Sequence, residues 1–413
     1  MRKKLKLRII SLISLVFIVL LTGCGGSSKS GGNYAWKVDD PDPSKSFFRD
    51  QVKYPYSVYY KMARDNNNVN WKIAYMDEKP KGVANPPIIV LIHGKGVFGG
   101  YFGHTMKRLI AAGFRVVVPD LPFYGKSLPP NINKNISRTL QHTRYAIHDL
   151  IVNKLGIKKA VYLGHSLGGQ WVLGYALTFP RAVSKLVLEA PAGLETYRAP
   201  LFNPKLKDDI NKWRANKLAA KLLKGELAKT EDKVRLFYYF KARNKAGDVV
   251  DSPLGYFRKR NEYTDFITQV RVKMIKGNQR EYKAYCTTYI RDIYTLGIEM
   301  FPTNPMYIYN KYNRIRVPIF VAFGETEPFI PTRLSGMIKK GLKKGIILPF
   351  YKTMKRARNK PVVKLYSGVG HFVHTDVPDD FADDVIKFAK TNTVNGASSD
   401  AEIMSWARIP DKK

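Results

Sequence analysis

From Tyr56 onward the chain alternates short continuous apolar runs with longer segments of helical period. Residues 88–92, Ile-Ile-Val-Leu-Ile, form a run of the kind buried on both faces of a parallel sheet. Residues 115–119, 160–163, 185–188, 318–323 and 362–366 repeat that signature. Ahead of them, residues 57–63 and 71–75 predict an opening β-hairpin turning at Asn66-Asn67-Asn68. Residues 105–112, 137–155, 167–179 and 381–390 carry helical periodicity between the strands. The alternation predicts an α/β fold, a mostly parallel doubly wound sheet with right-handed crossovers.

One interval breaks this rhythm. Between residues 197 and 316 no run has the buried-strand signature, and segments such as 208–223 and 231–241 read as helices rich in Lys, Tyr and Phe. A structureless loop of that length is anomalous in a compact domain, so the interval predicts an inserted helical cap dividing the core into residues 51–196 and 317–390. The polar tail, 391–413, is expected to be loosely ordered. The first residues read differently. Arg2, Lys3, Lys4, Lys6 and Arg8 precede an apolar run from Ile9 to Leu21, too short to span a bilayer comfortably and closed by small residues, as in a signal peptide over residues 1–23. Leu21-Thr22-Gly23-Cys24 looks like a bacterial lipobox, which implies lipidation of Cys24 and an envelope protein held at the membrane. The Gly/Ser-rich stretch that follows is expected to form, with Pro41-Asp42-Pro43, a flexible tether over residues 24–50.

Composition narrows the class. With 413 residues, 45% of them hydrophobic, and 2 cysteines, the chain can bury a full core and excludes a disulfide framework. No Cys/His spacing suits zinc. The formal charge of +37 falls to about +32 without the leader, and residues 333–360 hold ten Lys/Arg and no Asp/Glu. No nucleic-acid motif accompanies this excess. A solvated lysine-rich surface and contact with anionic headgroups are both open readings.

The candidate chemistry lies at strand ends. Gly164-His165-Ser166-Leu167-Gly168-Gly169 follows one predicted strand and opens a helix. On so sharp a turn Ser166 takes a strained backbone and projects its hydroxyl, and the Leu167 amide at the helix N-terminus can donate to an oxyanion. His93-Gly94-Lys95-Gly96 ends the 88–92 run, and Asp120-Leu-Pro-Phe-Tyr-Gly125-Lys-Ser127 ends the next. These loops, in this order, resemble the α/β-hydrolase superfamily over about residues 57–390.

The resemblance implies an α/β-hydrolase fold and a Ser–acid–His triad without metal or organic cofactor. It maps a second oxyanion amide to Lys95 and a structural role to His93. The implied histidine is His371, in Ser367-Gly368-Val369-Gly370-His371-Phe372, with His374 a later alternative. Two positions remain open for the acid. Glu327, in Gly324-Glu325-Thr326-Glu327-Pro328, stands where the family usually has aspartate, and Glu189 ends the preceding strand. Asp376 and Asp379 are expected to cap the last helix. A serine nucleophile disfavours dehalogenase or epoxide-hydrolase chemistry. It leaves ester hydrolysis on a small-molecule ester or lipid as the leading expectation, with carbon–carbon bond hydrolysis, other reactions of the same triad, or a non-catalytic binding lipoprotein as alternatives. Aromatic clusters at 237–240 and 307–309 are candidate linings of an acyl pocket.

Overall fold

The computed structural model describes residues 37–127, 139–194, 256–300, 306–327 and 346–406, with isolated positions between 230 and 251 and at 302 and 304. The predicted apolar runs pair into an eight-stranded sheet. Its strands are β1 (Val58–Arg64), β2 (Asn70–Glu78), β3 (Ile88–Ile92), β4 (Arg115–Pro119), β5 (Ala160–His165), β6 (Val183–Glu189), β7 (Ile319–Gly324) and β8 (Val362–Tyr366). Their spatial order is β8-β7-β6-β5-β3-β4-β2-β1. β1 and β2 form the antiparallel hairpin, β2 also pairs antiparallel with β4, and all other pairs are parallel.

Side-chain parity explains why the central runs are continuously apolar. Val90, Ile92, Tyr162, Leu186, Leu188, Val321 and Phe323 pack into one cluster, while Ile89, Leu91, Val161, Leu163, Val187 and Phe320 pack into the other. Successive strand residues point to opposite faces, so both faces need helices. On the first face lie α2 (Leu140–His148), α3 (Leu167–Thr178), α6 (Leu348–Arg356) and α8 (Asp400–Ser405). On the second lie α1 (Gly103–Ala111) and α7 (Pro378–Thr391). The expected helix at 137–155 is shorter: it starts at Leu140, capped reciprocally by Thr139 and His142, and widens into a π-helical turn over Asp149–Lys154.

Two expectations need correction. Residues 37–50, assigned to the tether, are packed. Lys37–Val38 pairs with Val52–Lys53, and Phe47 and Phe48 join Phe98, Phe266, Val270, Met274, Tyr285 and Tyr289 in a third apolar cluster. The amide of Phe47 donates to Glu281 at 2.7 Å, and Lys126 donates to the carbonyls of Phe48 and Arg49 at 2.7 and 2.8 Å. Two adjacent phenylalanines supply the apolar area that a Gly/Ser tether lacks. The tail is ordered through residue 406 for the same reason: Ser399 caps α8, and Ile403 and Trp406 are buried in the first cluster. The signal segment, Cys24, segment 208–223 and residues 333–345 of the basic stretch lie outside the described residues.

Between β6 and β7 the described part of the expected cap is chiefly α4 (Glu262–Met274) and α5 (Gln279–Met300). α4 opens on a capping box in which Asn261 accepts from Tyr263 and Thr264. α5 is fixed to the core through a buried ion pair. Arg144 on α2 donates to Glu299 at 2.6 and 2.8 Å, and also to the carbonyls of Gln170 and Trp171 at 3.0 Å each. Gly174 leaves room for that guanidinium, since a Cβ there would lie 2.2 Å from Arg144 Cζ. Both charges are almost fully enclosed, so removing one leaves the other desolvated and unpaired. Glu299→Ala is expected to lower the unfolding free energy by about 3–5 kcal/mol in urea titrations. A loss below about 1 kcal/mol would mean that solvent reaches Arg144 in the folded protein.

Candidate active site

β5 ends at His165 and α3 begins at Leu167, so Ser166 alone makes the turn between them. Its backbone sits at φ 55° and ψ −115°, a conformation that costs a non-glycine residue about 1–3 kcal/mol. The segment after β6 grips it from both sides: Ser166 N–H donates to the Glu189 carbonyl, and Ala192 N–H donates to the Ser166 carbonyl, each at 2.9 Å. The turn is possible only because strand and helix nearly touch. A Cβ on Gly164 would lie 2.1 Å from the Gly168 carbonyl oxygen, and one on Gly168 would lie 2.2 Å from that of Ile92. Leu167 is the first residue of α3, so its amide belongs to the unsatisfied N-terminal turn.

A neutral hydrogen-bond chain joins the three loops expected to carry chemistry. Gly94 N–H donates to the Tyr101 hydroxyl at 3.1 Å, the Tyr101 O–H lies 2.9 Å from His165 Nδ1, and His165 Nε2 lies 3.1 Å from the His371 carbonyl. A carbonyl only accepts, so His165 carries its proton on Nε2 and takes the tyrosine proton's bond at Nδ1. Burial, then the neighbouring His371 and His374, hold the His165 imidazole well below its ordinary pKa, and burial, then Glu189, raise the Tyr101 phenol well above its own. Neither group ionises near neutrality, which keeps the chain's direction fixed. His165 was singled out in the sequence only as part of the elbow, and Tyr101 carried no signal at all.

Each candidate acid holds a different candidate histidine. Glu327 Oε2 meets His371 Nδ1 at 2.7 Å, and Glu189 Oε1 meets His374 Nδ1 at 2.7 Å. All four side chains are buried. The rings of His165 and His371 are 4.9 Å apart, which places the His371–Glu327 pair beside the elbow. The His371 amide donates to the Tyr256 carbonyl at 2.9 Å.

The expected capping role of Asp376 is not what the side chain does. It turns back to accept from the amides of Gly370 at 2.8 Å and of Arg258 and Lys259 at 3.1 Å each, tying the histidine loop to the insertion. Burial raises its pKa even so. Asp379 pairs with His104 at 3.0 Å. Asp376 is redirected by these tertiary contacts, whereas Asp379 does stand in the first turn of α7, as expected, though without a side-chain cap bond.

The loop at residues 93–96 is walled by α4 and α5. The Lys95 ammonium lies 3.2 Å from the centre of the Tyr289 ring, the Tyr285 hydroxyl donates to the Gly96 carbonyl at 3.0 Å, and the Arg271 guanidinium lies 5.2 Å from the Tyr285 ring. Of the anticipated pocket aromatics, Tyr239 bonds Thr264 at 2.8 Å and packs on Phe257, which packs on Phe372, whereas Ile308 belongs to the first core cluster with Tyr309 against it and Tyr307 stacked on Tyr309. Residues 237, 238 and 240 lie outside the described residues.

Beneath the loop, His93 donates from Nδ1 to the Gly94 carbonyl at 2.8 Å and accepts from the Leu121 amide at Nε2 at 2.9 Å. Asp120 accepts from Gly99, Lys126 and Tyr54, at 2.6, 2.7 and 2.7 Å, so the Asp120–Ser127 motif splints the segment that follows β3. Burial pushes Asp120 up to about 6 against those donors.

The sheet order, the elbow and the acid–imidazole pair define a hydrolase architecture. A model of the alpha/beta hydrolase fold matches residues 87–352, more than half of the chain, and the chain belongs to that family. The 2-hydroxy-6-oxo-6-phenylhexa-2,4-dienoate hydrolase of Burkholderia cepacia is 34% identical over 119 residues, 28% of this chain and 39% of that one. The chain spans less than two thirds of the length of the curated relatives it matches, for example 39%, 37% and 62%. Among solved structures, a probable hydrolytic enzyme from Pseudomonas aeruginosa has a TM-score of 0.58 at 23% identity, over 81% of this chain and 95% of its own. The carboxylesterase CesB of Bacillus subtilis has a TM-score of 0.51 at 17% identity, over 83% of this chain and 94% of its own.

The buried His93 carries a pH prediction. Its pKa falls from the ordinary 6.5 to about 4, because burial penalises the imidazolium. The unfolded chain therefore binds the proton first, and stability held above pH 6.5 is lost as pH falls toward 4, by about 3 kcal/mol. His93→Gln cannot take up this proton. Urea titrations across that window are expected to show a shallower acid slope for the variant, and equal slopes would contradict the assignment.

Proposed function

We propose that the protein is a serine hydrolase that cleaves carboxylic esters through an acyl-enzyme on Ser166. One observation carries the reading: next to a serine in a strained turn, the His165 ring lies 4.9 Å from that of His371, whose Nδ1 is fixed 2.7 Å from a buried carboxylate. In this mechanism Glu327 keeps the His371 proton on Nδ1, so Nε2 is the base that takes the Ser166 proton as the hydroxyl attacks the carbonyl carbon. The Leu167 amide, at the start of α3, and the Lys95 amide stabilise the oxyanion. His371 then protonates the departing alkoxide, and water releases the acyl group by the reverse transfer.

A second reading is hydrolysis of a carbon–carbon bond next to a carbonyl, and the named activity of the Burkholderia relative favours it. The cationic Lys95 and Arg271 near the oxyanion loop suit a substrate with an anionic group under either reading. The lipobox-like sequence supports placing this chemistry at a bacterial membrane surface, with Cys24 lipidated and the basic surface in contact with anionic lipid.

A fluorophosphonate is expected to label Ser166 and leave Ser166→Ala unlabelled. Glu327→Gln, which keeps the hydrogen bond but not the charge, is expected to lower kcat by about 10³- to 10⁴-fold. Comparing p-nitrophenyl esters with a 2-hydroxy-6-oxo-dienoate decides between the two reactions. Folded protein that labels nowhere and turns over neither substrate would overturn both. For the anchor, Cys24→Ala is expected to move the protein from the membrane fraction to the soluble one, and unchanged fractionation would refute lipidation there.

A further inference from the structure

The mechanism above leaves a buried glutamate and a buried histidine unused. We infer that Glu189 and His374 are a positioning pair that clamps the His371 loop to the serine elbow; this rests on the assignment of Ser166 and His371 as the reacting pair.

Glu189 lies at the seam between the two loops. It is the last residue of β6, paired in register with His165 at the end of β5, and its carbonyl accepts the Ser166 amide at 2.9 Å. Its side chain leaves in the other direction. Oε1 accepts both the backbone amide of His374, at 2.9 Å, and the ring Nδ1–H, at 2.7 Å. One residue therefore holds the nucleophile through its main chain and the histidine loop through its carboxylate. The strand ends immediately afterwards, with Ala190 at φ 38° and its amide bonded to Ala322 at 2.8 Å, so Glu189 has little freedom to follow a moving loop.

His374 is enclosed as tightly. Its ring stands 4.6 Å from that of Tyr101, 5.0 Å from Phe102 and 5.3 Å from His165. Glu189 Oε2 and His374 Nε2 have no hydrogen-bond partner among the described residues, so the bonds that the pair makes are the two at Oε1. A fully buried carboxylate is a costly means of filling space, and here its return is two donors from one residue of the loop. Removing it releases the loop at 374 while the tethers at Gly370 and His371 remain, which shifts the His371 ring without unfolding the site. Displacements of that order cost up to about 100-fold in rate.

The pair is distinct from the triad acid because charge and geometry separate in its variants. Glu189→Gln keeps an acceptor oxygen at Oε1, whereas Glu189→Leu removes it. The test compares both with wild type by the fluorophosphonate labelling rate of Ser166, by the pH profile and kcat–KM split on a p-nitrophenyl ester, and by amide hydrogen exchange through residues 370–376. Glu189→Leu is expected to label about 10- to 100-fold more slowly, to lose kcat at nearly constant KM, and to exchange faster at those amides while the amides of β5 and β6 stay protected. Glu189→Gln is expected to recover most of the rate and the wild-type acid limb.

A folded Glu189→Leu with unchanged exchange at 370–376 overturns the clamp whatever the reaction proves to be. Glu189→Gln falling as far as Glu327→Gln, with a shifted acid limb, overturns it by making Glu189 an electrostatic partner of the reacting imidazole. Failure of wild type to label at all refutes the reacting pair instead, and exchange still decides whether Glu189 holds the loop.

Discussion

The site depends on one close approach, that of β5 to α3 around Ser166. Carbonyl oxygens occupy the space where side chains at 164 and 168 would begin, so the elbow exists only with glycine at both places. The strain at Ser166 is then distributed: the 189–192 segment satisfies both of its backbone groups, and the apolar strands beneath hold that segment in register. A site built this way is rigid because of the sheet under it and is not held by the loop alone. The same sheet that buries the core thus fixes the coordinates of a hydroxyl.

Four imidazoles sit in the surrounding volume, and their protonation has to be controlled one by one. His93 and His165 are kept neutral by burial and by partners that match a single tautomer. His371 and His374 each face a carboxylate. The ring next to both, His165, stays neutral and can only pass on orientation. Were His165 to protonate, its Nδ1 would have to donate to a Tyr101 oxygen that already accepts from Gly94, and the chain would lose its single direction.

Much of this was legible in the sequence where local rules and tertiary demands agree. The buried strands announced themselves as continuous apolar runs because both faces of the sheet are covered, and the elbow because only its glycines fit. Glu327 and Glu189 could be named as acids but not allotted, since the choice depends on how residues 371 and 374 turn within one loop. Tyr101 and Asp376 were invisible for a related reason. Their partners lie on loops that sequence order does not bring together, and a buried tyrosine or a helix-leading aspartate has a bland local explanation. Residues 37–50 were misjudged because their neighbours in sequence are Gly/Ser-rich, while Phe47 and Phe48 answer to apolar partners more than two hundred residues away on α4 and α5.

That distant packing bears on how the insertion can work. α5 is joined to the core by the Arg144–Glu299 pair near its C-terminal end, and Phe47 and Glu281 join its N-terminal end to the segment ahead of β1. Between those fixed points the helix presents Tyr285 and Tyr289 to the loop at residues 94–96, one bonding Gly96 and the other beneath the Lys95 ammonium. A helix pinned at both ends cannot swing away as a hinged lid does without breaking a buried ion pair, a cost of several kcal/mol. This wall is therefore built with the loop after β3 as one body. The placement of aromatic and cationic groups on this side is fixed with it.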